Sequence, residues 1–259
     1  MQFKPLFISI ILATASCNNN VRSSVNPGNP GSITRPGDNP YAHISDIPLP
    51  EGFERENDKK DSFAGFLRHI DLKKDRTVYK FNGEPKTNQL AQFAVLNISV
   101  GNKDLQQCAD AVMRLRAEYQ FAAGRYDQII FTDNEGKAYK FTPPYSQDNF
   151  TRYLQRVFGM CGSASLSKEL KPVEFSSIRP GDVLIRGGFP GHAVMVMDVA
   201  VNAAGEKIYL LAQSYMPAQD IHVLVNPVNE DLSPWYAVTD NKIIFTPEYM
   251  FHSNELKRW

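Results

Sequence analysis

The sequence predicts an α+β fold in which helices pack on an antiparallel sheet, carried behind an N-terminal extension. Three observations predict it. Helical periodicity is concentrated before residue 170, whereas residues 182–225 are a succession of strand-like runs joined by short turns, the order expected of α+β rather than βαβ architecture. The 259 residues are 42% hydrophobic and 11% aromatic, enough to bury one core of single-domain size. Beyond the N-terminal segment no stretch approaches the roughly 18 consecutive apolar residues that a membrane-spanning helix needs.

The N-terminus reads as targeting. MQFKPLFISIILATASC places Lys4 before an apolar run from Leu6 to Ala15 and ends on Cys17, with the length of a signal-peptide hydrophobic region. Thr14-Ala15-Ser16-Cys17 resembles the lipobox of bacterial lipoproteins, although Thr14 stands where that pattern usually has Leu. The resemblance implies a lipidated Cys17, a membrane partner reached through that anchor, and a place in the cell envelope, on the periplasmic or surface side of the outer membrane. Residues 18–40, rich in Asn, Ser, Gly and Pro, read as a tether, because little in them repays the entropy of ordering. Residues 41–259 are expected to form a single α+β domain.

Within the domain, Ser62 precedes a short helix, FAGFLRHI, and TVYKF (77–81) and QFAVLNI (92–98) read as strands. KDLQQCADAVMRLRAEYQFAA is the strongest helix: Leu105, Cys108/Ala109, Val112, Leu115 and Tyr119 form one apolar face, and Gly124 ends it. DQIIFT and KAYKF flank Asp133-Asn134-Glu135-Gly136, a hairpin signal. NFTRYLQRVFGM is a second amphipathic helix, followed by SLSKEL. Strands are expected at 182–186, 192–201, 207–215 and 221–225, and the tail as irregular edge structure.

Composition narrows the function. Lys+Arg 28 against Asp+Glu 28 leaves no basic field for nucleic acid. Cys17, Cys108 and Cys161 are too few for a disulfide framework and lack zinc-site spacing, so neither a metal nor another cofactor is expected. The sequence sets no oligomeric state.

The chemistry-bearing candidates begin with Cys108. With Asp104 as N-cap and Gln107 completing a capping box, Cys108 falls in the first helical turn, where unpaired N–H groups favour a thiolate. Alone, such a cysteine reads first as a buried core residue on an apolar face. His192, however, opens an apolar strand directly after the glycine-rich loop 187–191, a position that would expose its ring to a cleft. If the 202–206 turn centres between Ala204 and Gly205, Val196 faces Gln213, and His192 and Gln213 share a face; a one-residue slip would substitute Ser214. Gln213 would then fix the imidazole tautomer. Gln106 or Gln107, with the Cys108 N–H, would form an oxyanion hole. Tyr215 and Trp235 are aromatic candidates for lining the cleft, with core packing the competing role. Gln107, Tyr215 and His222 are the expected substrate contacts, His222 alternatively orienting the ring. His43, His69 and His252 read as surface residues, Cys161 as buried, and Asp182 and Asp198 as partners of backbone donors.

A cysteine at a helix start, a histidine at a strand start and a polar residue ending the next strand together resemble the papain-like CHAP and NlpC-type amidohydrolases and peptidases. Gln107-Cys108, Pro180-Gly181-Asp182-Val183 and Gly191-His192-Ala193-Val194-Met195-Val196 carry the CHAP-like part of the resemblance. Gln213 departs from the Glu, Asn or His usual at the third position, and Cys108 lacks the Asp-Cys-Ser triplet of the NlpC type. The resemblance implies a papain-like fold and an envelope cysteine amidohydrolase or peptidase acting on amides, with peptidoglycan peptides the analogous substrate. The other reading is a catalytically inactive lipoprotein that uses the same fold for binding or scaffolding. DLQQCADAVMRLRAEY, PGDVLIRGGFPGHAVMVMDVA, LLAQSYMPAQDIHVL, WY at 235–236 and TPEYMF also resemble a Bacteroidetes lipoprotein family of unknown function, which supplies no activity.

Overall fold

Strand β7 (His192–Asn202) organises the molecule, because its first nine residues are buried and both faces of a strand so apolar must be covered. The computed structural model describes residues 37–259; the signal segment, Cys17 and residues 18–36 of the tether lie outside the described residues. The elements preceding β7 are β1 (Phe53–Arg55), α1 (Phe63–Arg68), β2 (Gln92–Val95), α2 (Cys108–Ala122), the hairpin β3 (Ile130–Thr132) and β4 (Ala138–Lys140), α3 (Gln147–Met160), α4 (Ser163–Glu169), β5 (Lys171–Pro172) and β6 (Val183–Arg186). After it come β8 (Lys207–Gln213), β9 (His222–Leu224), β10 (Tyr236–Ala237), β11 (Ile243–Phe245), β12 (Met250–His252) and β13 (Leu256–Arg258). The main sheet runs β2-β9-β8-β7-β6-β13-β5, with β1 added on β7 and β10 on β8, and its pairs are antiparallel. The architecture is thus α+β, with a large antiparallel sheet and few helices.

Local chemistry explains the helices. Ser62 Oγ accepts from the Gly65 N–H at 3.1 Å to start α1, and Ser146 Oγ accepts from the Asn149 N–H at 3.3 Å to start α3. Ala109, Val112, Leu115 and Tyr119 of α2 are buried, and Gly124, at φ +68°, ends that helix in the left-handed region. One face of β7 (Ala193, Met195, Met197) shares the larger core with these helices; the other (Val194, Val196, Val199) packs with Ile244 of β11, Phe251 of β12 and Leu256 of β13.

Three expectations are corrected. Residues 77–81 form only isolated bridges, Tyr79 to Pro85 and Lys80 to Gln219, because the Tyr79 N–H donates to the Asp220 carboxylate at 3.0 Å instead of to a ladder. The tail is not irregular edge: β11 and β12 form a hairpin over the sheet, and β13 lies between β6 and β5. The β7–β8 register also differs. Around the turn the partners are Val201–Lys207 and Ala200–Ile208, but beyond a bulge between Val196 and Asp198 they become Val196–Leu211 and Met195–Ala212. Val196 therefore faces Leu211, not Gln213. The inserted residue flips the alternation, so the His192 end of β7 shares a face with odd-numbered residues of β8. Without the bulge, Ser214 would lie on that face.

Candidate active site

Cys108 is the first residue of α2, and Gln107, not Asp104, is the N-cap. The capping interaction forms one turn later than expected, because the Asp110 carboxylate reaches back to accept the Gln107 N–H at 3.0 Å. Asp104 instead accepts from Gln107 Nε2 at 3.1 Å and from the Ala218 N–H at 2.7 Å, tying the helix start to the β8–β9 loop. Ser214 Oγ lies 2.9 Å from the Gln106 carbonyl, a second tie from the end of β8. These contacts hold Cys108, half-buried and a free thiol, between the start of β7 and the end of β8.

His192, Gln213 and His222 share the opposite face of the sheet, where Gln213 pairs with His222 across β8 and β9. Gln213 Oε1 is 2.8 Å from His192 Nε2. Gln213 Nε2 donates to Glu248 Oε2 at 2.8 Å and lies 3.5 Å from His222 Nε2, whose own Nδ1 is 2.9 Å from the Asp220 carbonyl. Glu248 in turn accepts from Lys86 Nζ at 2.5 Å and Asn88 Nδ2 at 3.2 Å. Rings enclose the imidazole: Tyr215 and Tyr249 each have centroids 4.8 Å away, and Phe251 is at 5.8 Å.

The structure brings the expected residues together with three corrections. His192 is only 2% exposed, because these rings cover it, so its side chain does not open to a cleft. His222 is fully buried and touches Gln213 rather than the surface, so it is not a substrate contact in this conformation. Cys108 comes from the helix layer while the His192 ring points to the hairpin layer. At the end of the sheet the N–H of Ala193, the residue after His192, faces the sulfur. No hydrogen bond joins sulfur and imidazole among the described residues.

Electrostatics follow from burial. Burial first, and the neighbouring Asp110 carboxyl second, push the Cys108 thiol up; the N–H groups of Ala109, Ala193 and Cys108 itself oppose this without overcoming it. The expectation that the helix start favours a thiolate is thereby overturned for the resting protein. Burial lowers His192 to about 4, partly offset by its Gln213 bond and Glu248. Burial, then Lys86, lower His222 to about 3. At neutral pH the protein therefore holds an un-ionised thiol on the helix side of the sheet and a neutral imidazole on the hairpin side.

Of the two side chains expected to donate to an oxyanion, Gln107 gives its amide to Asp104, whereas Gln106 has its Oε1 on Arg114 and its buried Nε2 without a partner. Gln107 and Tyr215 are half-buried, and Phe189 and Met216, near His192 and Tyr215 in the chain, are exposed. Trp235 is core, donating to the Pro48 carbonyl at 2.7 Å. His69 and His252 are exposed, His43 contacts Asp46 and Asp71, and Cys161 is buried. Asp182 and Asp198 do accept backbone N–H groups, but each also binds arginine, Arg258 for the former and Arg55 and Arg68 for the latter. Glu248, Lys86 and Tyr249 escaped the sequence reasoning. The only signal for Glu248 and Tyr249 was TPEYMF within a resemblance that carries no chemistry, and Lys86 lies outside the segments that carry it. Among the described residues no group of three His, Cys, Asp or Glu is placed to hold a metal ion.

A family model described as Domain of unknown function (4846) matches residues 44–143 and 138–258. No curated protein and no solved structure matches the chain.

Proposed function

The chain belongs to the family described as Domain of unknown function (4846), and for it we propose a cysteine amidohydrolase or peptidase of papain-like, CHAP/NlpC-type layout. It is held in the cell envelope by a lipidated Cys17 and acts on amide bonds of peptidoglycan peptides. The observation that carries this reading is the 2.8 Å contact between Gln213 Oε1 and His192 Nε2 at the strand end that Cys108 adjoins. That contact leaves Nδ1 as the ring nitrogen for chemistry. As Cys108 Sγ attacks the amide carbonyl, its proton passes to Nδ1, and the N–H of Cys108 faces the developing oxyanion. His192 returns the proton to the amine as the C–N bond breaks. Water, deprotonated by the same nitrogen, then hydrolyses the thioester and restores the thiol. Substrate binding must move Tyr215 aside and bring Nδ1 within about 3 Å of the sulfur, a tightening common when catalytic groups meet their substrate.

The test is incubation of the purified chain with peptidoglycan and measurement of free amino groups released. Release that disappears in Cys108→Ala supports the hydrolase. Release unchanged by that substitution contradicts it. The 2% exposure of His192 favours a second reading, a binding or scaffolding module, and absence of release by the wild-type chain supports that one. Fatty-acid labelling lost in Cys17→Ser tests the anchor.

A further inference from the structure

We propose that Glu248 is a positioning residue of this site: clamped by Lys86 and Asn88, its carboxylate dictates which way the Gln213 amide faces and so which nitrogen of His192 carries the ring proton. The catalytic consequence rests on the reading of His192 as proton acceptor; the structural claim does not.

The argument is one of donors and acceptors. A carboxylate paired with an ammonium only accepts, and Lys86 Nζ donates to Glu248 Oε2 at 2.5 Å in a largely buried pair. The group 2.8 Å from Glu248 Oε2 must then be the NH2 of Gln213. Its second hydrogen points to His222 Nε2 at 3.5 Å, which is free to accept because His222 Nδ1 donates to the Asp220 carbonyl at 2.9 Å. Gln213 Oε1 is thus forced toward His192, and the nitrogen 2.8 Å from it must carry hydrogen. Nδ1 keeps its lone pair.

Turning the amide over would set its oxygen against the Glu248 carboxylate and its NH2 against His192, losing two hydrogen bonds inside the protein. Without Glu248 only the long 3.5 Å contact to His222 distinguishes the two orientations, because an amide pairs with either imidazole tautomer. Gln213 therefore orients the ring in space, and Glu248 sets its polarity. The chain extends through side chains from four separate segments, Lys86, Glu248, Gln213 and His192, which makes the 246–249 turn of the β11–β12 hairpin part of the site rather than a cover over it.

Long-range proton–nitrogen NMR of the imidazoles, on the full chain near pH 7, reads the tautomer without reference to activity. The wild type is expected to show His192 as a single Nε2–H form. Glu248→Met, which fills similar space without accepting, is expected to lose that signature and populate both forms. The exchange variant Gln213→Glu/Glu248→Gln puts a carboxylate directly on Nε2–H and an amide donor behind it, and is expected to restore the single form. A single Nε2–H form persisting in folded Glu248→Met overturns the proposal, as does a mixture in the exchange variant. Should the tautomers move as expected while Cys108 reacts identically with and without His192, the relay stands and the hydrolase falls.

Discussion

His192 and His222 are neutral because water has been taken away from them, and this gives stability a pH dependence of definite sign. An unfolded imidazole takes its proton near 6.5, whereas the folded values are about 4 and about 3. As pH falls the unfolded chain binds protons first, so the contribution of each ring is complete above 6.5 and drains away as pH drops toward those lower values. His222→Gln has no such proton to bind. Between about pH 7 and about pH 4.5 its urea midpoint is expected to fall less than that of the wild type; parallel declines would contradict this. At this scale the sequence exposed Cys108, His192 and Gln213, because each stands at a recognisable position, a helix start or a strand end. The thiol's raised pKa was not legible. It depends first on burial and then on Asp110, whose carboxyl turns inward to accept the Gln107 N–H.

Among the elements, β7 is tied to its helical cover by a buried charge. Asp198 is fully buried and accepts from Arg55 Nε of β1 and Arg68 Nε of α1, both at 2.6 Å, with the Val199 N–H at 2.9 Å. Removing one partner of such a cluster strands the others without water. Asp198→Ala is expected to destabilise the fold by about 3–5 kcal/mol, measured by denaturant unfolding. A loss below about 1 kcal/mol would show the arginines find other partners. The long helix, the 133–136 hairpin and the strands from 183 to 224 were legible because periodicity and turn residues are local signals. The bulge at the middle of β7 was not, since no Gly or Pro marks it, and yet it puts Gln213 rather than Ser214 on the face of His192. Short strands such as β13 escaped for the same reason: three residues carry no period, and only pairing on both sides makes Leu256–Arg258 a strand.

For the whole molecule, the sheet separates two layers, and the proposed function requires them to act together at the end of the sheet, where the Ala193 N–H faces the Cys108 sulfur. The α2 layer supplies a sulfur at the helix start; the sheet supplies the imidazole and Gln213, and the hairpin layer supplies Glu248, Tyr249 and Phe251 around them. Fold class was readable from the order of helices and strands, but this division was not, because which face of a strand a side chain occupies depends on register. The central claim is that the two layers cooperate, and it is tested by the alkylation rate of Cys108, whose sulfur displaces fluoride from a fluoromethyl ketone to form a thioether. A small peptidyl fluoromethyl ketone, with the modified residue located by mass spectrometry, should label Cys108 in preference to the buried Cys161, whose thiol burial raises to about 12. The account expects labelling to slow by about a hundredfold or more in His192→Ala, the usual contribution of a positioned general base. Equal rates in the two proteins, or labelling of Cys108 no faster than of Cys161, would contradict it.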